Sequence, residues 1–293
     1  MNSKCNLCPR RCNAKRYNGQ IGMCKCGNKI KIALSSIHNY EEPCISGKNG
    51  SGTVFFSNCN LKCVYCQNYK ISAQGYGKEV EIEELARIFL KQQENGVNNI
   101  NLVTPTPYVL EIIEAIKIAR REGLSIPIIY NSSGYENIET IKMLNGYIDV
   151  YMPDIKYINN ELAKKYSNAD NYFYYAEKAI TEMYNQVGMP IFNKDKIMQK
   201  GILIRHLVLP NNLKNTFMIL DWIKETFGRN IYISIMFQYF PTYRAKEFNE
   251  INRKISIDEY NQVIKYINKC GFRKGYIQDL EDNEEKYVPD FID

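Results

Sequence analysis

Apolar runs alternate with amphipathic segments along most of this chain. Six runs rich in β-branched and aromatic residues predict buried strands: TVFF (53–56), NINLVTP (99–105), IPIIYNSSG (126–134, strand into loop), DVYMPDIKY (149–157), GILIRHLVLP (201–210) and NIYISIMFQYF (230–240). Five segments with apolar residues three and four positions apart predict helices: EIEELARIFLKQQENG, YVLEIIEAIKIARREG, YFYYAEKAITEMYNQ (172–186), LKNTFMILDWIKETFG and SIDEYNQVIKYINKC.

Successive strand–helix units predict a parallel sheet with right-handed crossovers, and therefore an α/β fold that is a barrel or part of one. In parallel barrels the chemistry sits at the carboxyl ends of the strands. The predicted strand ends carry segments that stand out from their surroundings, namely the cysteine segment 59–66, TPTP, NSSG, PDIK, RHLVLPN and FQYFP. We therefore predict that these segments share one rim of the fold and form the active site.

The overall composition excludes only a few classes of function. Hydrophobic residues make up 45% and charged residues 24% of the 293 residues, which is ordinary for a globular protein. No apolar run is long enough to span a bilayer, and the N-terminus lacks the apolar region of a signal peptide, so we expect a cytoplasmic protein without a membrane partner. A net charge of +6 without a basic–aromatic module argues against nucleic-acid binding.

Ten cysteines are the exceptional feature of the composition. Nothing indicates export, so the tight CxxC spacings favour metal binding over disulfides. Six cysteines lie within the first 44 residues, three lie between positions 59 and 66, and Cys270 stands alone in a predicted helix, as a buried small residue would. We predict a Cys-rich metal-binding head at residues 1–48 and a barrel core with a C-terminal extension at residues 49–293.

Cys59, Cys63 and Cys66 offer three thiolates from one loop. Thiolates select zinc, copper(I) or iron–sulfur clusters. Structural zinc is almost always four-coordinate, so a zinc site here would need a distant fourth ligand. A [4Fe–4S] cluster held by three cysteines would instead leave one iron open to a small molecule with adjacent amine and carboxylate groups, as in S-adenosylmethionine.

The segment CNLKCVYC resembles the CxxxCxxC signature of the radical SAM superfamily, which carries it after the first strand of a partial (β/α)6 barrel. The resemblance implies a [4Fe–4S] cluster on Cys59, Cys63 and Cys66 that reductively cleaves S-adenosylmethionine to a 5′-deoxyadenosyl radical. That radical would abstract hydrogen from a substrate in an oxygen-sensitive reaction. The resemblance also implies that Tyr65 packs against the adenine and that flavodoxin or ferredoxin donates the electron.

Other segments resemble the pyruvate formate-lyase activating enzyme-like branch, whose members activate glycyl radical enzymes. CVYCQN is similar to its CxYCxN variant, PDIK to its D-x-K motif and RHLVLPN to a stretch on its fifth strand. This implies cofactor contacts for Asp154, Lys156 and Arg205. Activases usually carry Gly-Gly-Glu after the second strand to hold the methionine amine; this chain has VTPTP, whose Thr104 and Thr106 offer oxygen acceptors but no carboxylate.

That departure leaves the substrate open between a glycyl radical enzyme, another protein, a peptide and a small molecule. On the neighbouring strand end, Ser132 and Ser133 offer hydroxyls to the ribose or the carboxylate of the cofactor, although NSSG is equally typical of a plain turn.

The head residues Cys5, Cys8, Cys12 and Cys24 predict a closed four-thiolate site for a second metal, either zinc or an iron–sulfur cluster. Cys26 and Cys44 are spare ligands or buried thiols. An alternative of a different class is a non-catalytic binding protein in which every cysteine holds zinc.

Overall fold

The computed structural model describes residues 4–280 together with Pro289 and Phe291. In this part of the chain, ten strands form one sheet: β1 (Ile30–His38), β2 (Ser51–Phe56), β3 (Lys78–Val80), β4 (Ile100–Val103), β5 (Ile128–Ser132), β6 (Val150–Pro153), β7 (Ile191–Phe192), β8 (Met198–Leu207), β9 (Tyr232–Met236) and β10 (Lys274–Ile277). The α-helices are α1 (Pro43–Ser46), α2 (Tyr69–Ser72), α3 (Ile82–Glu94), α4 (Val109–Arg121), α5 (Ile138–Met143), α6 (Asn160–Ser167), α7 (Tyr172–Val187), α8 (Leu213–Phe227) and α9 (Ile257–Cys270).

The sheet is mostly parallel and open. Its order is β10-β9-β8-β6-β5-β4-β2-β1-β3, with β7 paired to β8. The strands from β10 to β2 in this order run parallel, whereas β1 and β3 at the other edge are antiparallel. The six predicted strands are β2, β4, β5, β6, β8 and β9, so the predicted α/β fold with a partial barrel is confirmed.

Both faces of the sheet are covered, which explains its continuous apolar runs. Every residue of β2, β4, β5 and β6 is buried, as expected for parallel strands packed on both sides. In β5, Ile128 and Tyr130 join the main hydrophobic core with the predicted stripes of α3 and α4, while Ile129 joins a second cluster on the opposite face. The alternation follows from the two-residue period of a strand.

The connection between β1 and β2 occupies that opposite face. We call residues 39–50 the floor segment. Its helix α1 buries Cys44 and Ile45 in a cluster with residues of β5, β6 and β8: Ile129, Val150, Met152, Met198 and Leu203. The Asn99 side chain donates a hydrogen bond to the Ile45 carbonyl (2.8 Å), which fixes the segment against the start of β4.

Three features of the structure differ from the simple strand–helix pattern. Strand β1 lies within the range predicted for the head, yet it pairs with β2 from Ile32 to His38; the boundary at residue 48 stays a prediction. Strand β8 ends at Leu207, before Pro210. Strand β9 ends at Met236, because the backbone N–H groups of the next two residues, 237 and 238, donate to the Gln278 side chain (both 2.9 Å).

No helix within residues 4–280 has both the length and the apolar character needed to cross a membrane.

Candidate active site

A cavity of about 240 Å³ opens at the carboxyl ends of the parallel strands, where barrel enzymes place their chemistry. Ten of the residues predicted for the cluster and the cofactor line it: Cys59, Cys63, Tyr65, Cys66, Thr104, Ser132, Ser133, Asp154, Lys156 and Arg205. Thr106 lies elsewhere. It donates a hydrogen bond to the buried carboxyl group of Glu136 (2.6 Å) and faces a small cavity beneath the head.

The three cysteines of the loop are half-buried in the cavity wall. Ser167 donates a hydrogen bond to Cys63 Sγ (3.0 Å), and Cys66 Sγ lies 3.1 Å from the Ser72 hydroxyl. Burial raises the pKa of Cys59 to about 12 and that of Cys66 to about 11. These thiols are therefore neutral at pH 7, and a metal centre that binds them must displace their protons.

Within residues 4–280, no three Cys, His, Asp or Glu side chains converge closely enough to hold a single metal ion, either at this loop or in the head. A [4Fe–4S] cluster does not require such convergence, because each cysteine binds a different iron. A soft donor set of three thiols on one loop, facing a polar cavity, therefore fits a cluster of this kind better than one ion.

A chain of charged side chains lines the same cavity, and its Lys156 interacts electrostatically with Cys63. Lys156 Nζ donates to Asp154 Oδ2 (2.7 Å), and Arg205 Nε donates to Asp154 Oδ1 (3.0 Å). Arg205 also donates to Glu41 Oε2 (3.2 Å) and to Asn131 Oδ1 (2.7 Å). Each of these side chains is thus held in one orientation by at least one charged or amide partner.

Charge pairing outweighs burial at Asp154. Burial alone would raise its pKa, but Lys156 and Arg205 stabilise the carboxylate and hold the pKa below its usual value. For Lys156, burial would lower the pKa, but Asp154 holds it above the ordinary value. All three groups are therefore charged at neutral pH.

Strand register decides which side chains reach the cavity. Arg205 lines it, while the adjacent His206 points away and lies between the Ile155 carbonyl (Nδ1, 2.7 Å) and the Thr216 hydroxyl (Nε2, 3.0 Å). Burial lowers the pKa of His206 to about 4, so its imidazole is neutral. After β9, Gln238 lines the cavity in the same way.

The NSSG loop depends on a glycine. Gly134 has φ +73°, and a Cβ there would lie 2.4 Å from the Asp154 carbonyl oxygen, so a larger residue would push the loop away from the end of β6. The Ser132 hydroxyl accepts the Gly134 N–H (3.2 Å). The Ser133 hydroxyl is buried and, in the described part of the chain, has no hydrogen-bond partner. An unpaired hydroxyl in a cavity wall is suited to a polar ligand.

Tyr65 forms a rigid aromatic part of the same wall. Its ring is 5% exposed and packs edge-on against Tyr239, with ring centroids 5.9 Å apart. Its hydroxyl oxygen lies 2.5 Å from that of Tyr157. Burial and the Tyr157 hydroxyl both hold the pKa of Tyr65 well above its usual value, so the phenol is neutral.

Glu41 and Asn131 also belong to the site, although neither was predicted from the sequence. Glu41 lies in the floor segment, at a position within the range predicted for the head, and lines the cavity. The run IKIALSSIH, which precedes Glu41, has the alternating pattern of a strand. This pattern predicts that the acidic pair Glu41 and Glu42 follows the end of a strand. Asn131 was visible as the first polar residue after the apolar run IPIIY.

The head lies against the cysteine loop. Cys5, Cys8, Cys12 and Cys24 line one small cavity of about 10 Å³ together with Arg10 and Arg16. The sulfurs of Cys12 and Cys24 both lie 3.4 Å from the position of a Cβ on Gly22. Arg10 Nε donates to the Asn60 carbonyl in the cysteine loop (2.8 Å), and its other nitrogens reach the Ser167 and Asn168 carbonyls at the end of α6.

Comparison with known proteins identifies the family. A family model described as the radical SAM superfamily matches residues 53–198, which include the cysteine loop, the NSSG loop and Asp154 with Lys156. An uncharacterised protein of Methanocaldococcus jannaschii is 31% identical over 275 residues, which cover 90% of this chain and 74% of that protein. This chain belongs to the radical SAM superfamily, and membership implies a [4Fe–4S] cluster and S-adenosylmethionine.

Two further proteins are less similar to this chain in sequence. The pyruvate formate-lyase-activating enzyme of Clostridium pasteurianum is 28% identical over 138 residues, which cover 44% of this chain and 56% of that enzyme. The structure of the FeFe-hydrogenase maturase HydG from Carboxydothermus hydrogenoformans aligns with a TM-score of 0.51 at 16% identity. That alignment covers 78% of this chain but only 54% of the maturase, so the match establishes a shared fold alone.

Proposed function

We propose that this radical SAM enzyme activates a glycyl radical enzyme. In this proposal Cys59, Cys63 and Cys66 hold the [4Fe–4S] cluster, S-adenosylmethionine binds beside it, and a backbone glycine of the partner donates hydrogen. The observation that carries the proposal is that one cavity brings the three thiols together with Asp154 and Lys156 of the PDIK segment. The partial similarity to the C. pasteurianum activating enzyme supports the same reading.

When bound, the cluster and S-adenosylmethionine supply the electron and the 5′-deoxyadenosyl radical that removes the substrate hydrogen. The side chains of the cavity would bind and orient S-adenosylmethionine. Lys156 offers donors to the cofactor carboxylate, Ser133 offers its unpaired hydroxyl together with Ser132, and Tyr65 gives an aromatic wall for the adenine. Thr104 offers a further polar contact at the end of β4, and Arg205 holds the Asp154 carboxylate in place.

The proposal is tested by anaerobic reconstitution with iron and sulfide, followed by dithionite and S-adenosylmethionine. We expect a reduced-cluster signal in electron paramagnetic resonance that changes when S-adenosylmethionine is added, and release of 5′-deoxyadenosine. Cys63→Ala is expected to lose both, whereas Cys270→Ala, which alters a buried thiol of α9, is expected to keep both. A wild-type protein that holds zinc without iron, or that releases no 5′-deoxyadenosine, would contradict the catalytic proposal and favour the non-catalytic alternative.

The substrate requires a separate experiment, because VTPTP replaces the activase motif and the similarity to the activating enzyme covers less than half of this chain. A glycyl radical enzyme encoded nearby in the source genome would be the substrate to test, with the glycyl radical signal as the readout. A labelled adenosyl product formed with a peptide or a small molecule, and no glycyl radical, would favour those substrates. We propose flavodoxin or ferredoxin as the electron donor.

We also propose that Cys5, Cys8, Cys12 and Cys24 hold a second metal in the head. The supporting observation is a buried cation: Arg16 is 4% exposed, and among the described residues its Nη2 has no hydrogen-bond partner. Glu111 already offsets part of this charge, and a divalent metal with four thiolates is an anion that would add to this stabilisation beside the guanidinium. We favour a single ion such as zinc, and its binding would have to draw the head thiols together, because among the described residues no three of them converge closely enough to hold one ion as they stand.

A further inference from the structure

The floor segment contributes one carboxylate, that of Glu41, to the wall of the active-site cavity. Asn101, on β4, donates from Nδ2 to Glu41 Oε1 (2.9 Å), and Arg205, on β8, donates to Glu41 Oε2 (3.2 Å). Glu41 is therefore held by side chains of β4 and β8, two strands that β5 and β6 separate in the sheet. Its side chain is 11% exposed and lines the cavity directly.

Glu41 retains unused acceptor capacity. An ionised carboxylate offers about four lone-pair sites, and the bonds from Asn101 and Arg205 occupy two of them. Glu41 lines the cavity, so a group bound there would lie beside its remaining acceptor sites. A donor group on a bound ligand could therefore reach Glu41 without displacing either protein partner.

The charge around Glu41 favours a cationic ligand. Three buried carboxyl groups, on Glu41, Glu42 and Asp154, lie near two buried cations, Lys156 and Arg205. If all five groups were ionised, the site would carry one more negative than positive charge. Burial raises the pKa of both Glu41 and Glu42, and Arg205 offsets this only in part, so one further positive group would stabilise the site.

We propose that Glu41 binds the amine of an adenosyl amino acid, the ligand class to which S-adenosylmethionine belongs. The amine of such a ligand supplies N–H donors for the unused acceptor sites of Glu41, and the sulfonium carries a permanent positive charge. Asn101, on β4, lies three residues before Thr104. Its bond to Glu41 therefore holds a carboxylate close to the VTPTP stretch, which contains no acidic residue. This inference rests on the proposed function, since it assigns a residue to the same cofactor.

The test is anaerobic equilibrium binding of three probes to the wild type, Glu41→Gln, Glu41→Asp and Glu111→Gln. S-Adenosylmethionine and S-adenosylhomocysteine carry the amino-acid end, whereas 5′-methylthioadenosine lacks it. We expect Glu41→Gln to weaken the first two probes about tenfold, equivalent to ~1.4 kcal/mol, and to leave the third unchanged. Glu41→Asp keeps the charge and should weaken them less. Glu111→Gln alters another buried carboxyl group, which accepts from Tyr17 (2.9 Å) outside the cavity, and should bind all three probes normally.

Each other result contradicts the inference in a distinct way. Equal affinity of Glu41→Gln and wild type for S-adenosylmethionine and S-adenosylhomocysteine would overturn the role of Glu41 while leaving the proposed function standing. Equal loss of all three probes would assign Glu41 to shaping the cavity instead of binding the amine. A wild type that binds none of the probes would overturn both the inference and the proposed function.

Discussion

Adjacent residues of one strand face opposite sides of the sheet and therefore have different roles in this protein. Arg205 and His206 are neighbours in β8, yet Arg205 joins the ion chain of the cavity and His206 packs on the helix side. In β5 and β8 the same two-residue spacing leads from an apolar residue of the second cluster to a polar residue of the cavity, from Ile129 to Asn131 and from Leu203 to Arg205. Local sequence fixes this alternation, but the identity of each partner comes from other strands.

His206 makes stability depend on pH. Its folded-state pKa of about 4 lies below the ordinary value of 6.5, so between these values the unfolded chain binds a proton that the folded protein does not. The contribution of neutral His206 is fully present above pH 6.5 and is lost as the pH falls toward 4, by about 3 kcal/mol in total. Urea unfolding of the wild type and His206→Gln at pH 7 and pH 5 should show a stability difference that shrinks at the lower pH. Parallel pH dependence of the two proteins would show that His206 does not contribute in this way.

Elements whose signals are local were the easiest to predict. Helix α9 begins at a capping box, in which Ser256 Oγ accepts the Glu259 N–H (3.2 Å) and the Glu259 carboxylate accepts the Ser256 N–H (2.9 Å). Helix α4 is followed by Gly123, whose φ of +101° suits a glycine after a helix. By contrast, the end of β9 is set by the distant Gln278 side chain, which no local pattern reveals.

The cap of α9 provides a stability prediction at the scale of one element. Ser256→Ala removes the acceptor for the first turn and should lower the free energy of unfolding by about 1 kcal/mol. Ser256→Asp keeps an oxygen acceptor and should remain close to the wild type. Chemical denaturation measures both variants, and an alanine variant as stable as the wild type would show that water replaces the cap without cost.

At the scale of the whole molecule, the head and the barrel meet at the cysteine loop. Arg10 bonds the Asn60 carbonyl of that loop, and Arg16 Nη1 donates to the Pro107 carbonyl after β4 (2.6 Å). The head thiols and the cavity thiols therefore belong to one connected structure, although they line different cavities.

Metal analysis tests the second site at this scale. We expect about one zinc ion per chain after anaerobic purification, lost in Cys8→Ser and retained in Cys270→Ser, because only the first variant removes a proposed thiolate ligand. The iron of the reconstituted cluster should be retained when Cys8 is changed. Equal zinc content in the three proteins, or iron and sulfide lost together with Cys8, would contradict a separate zinc site in the head.

Much of the architecture follows from the sequence alone. The apolar runs and amphipathic periods predicted the α/β fold and the rim of the cavity, because strand burial and helix periodicity are read over a few neighbouring residues. The spacing of Cys59, Cys63 and Cys66 identified the family for the same reason. Ten of the eleven residues predicted for the cluster and cofactor in the barrel line one cavity, and Thr106 is the exception.

Only the tertiary structure decided which distant groups face one another. Folding sets the floor segment inside the partial barrel, where Glu41 meets Arg205 at 164 residues' separation. It also turns Thr106 away toward Glu136 and brings Arg10 to the cysteine loop. The physical reason is that hydrophobic periodicity records how each element is buried, while the polar contacts of a buried site depend on side chains from elements that sequence patterns treat independently.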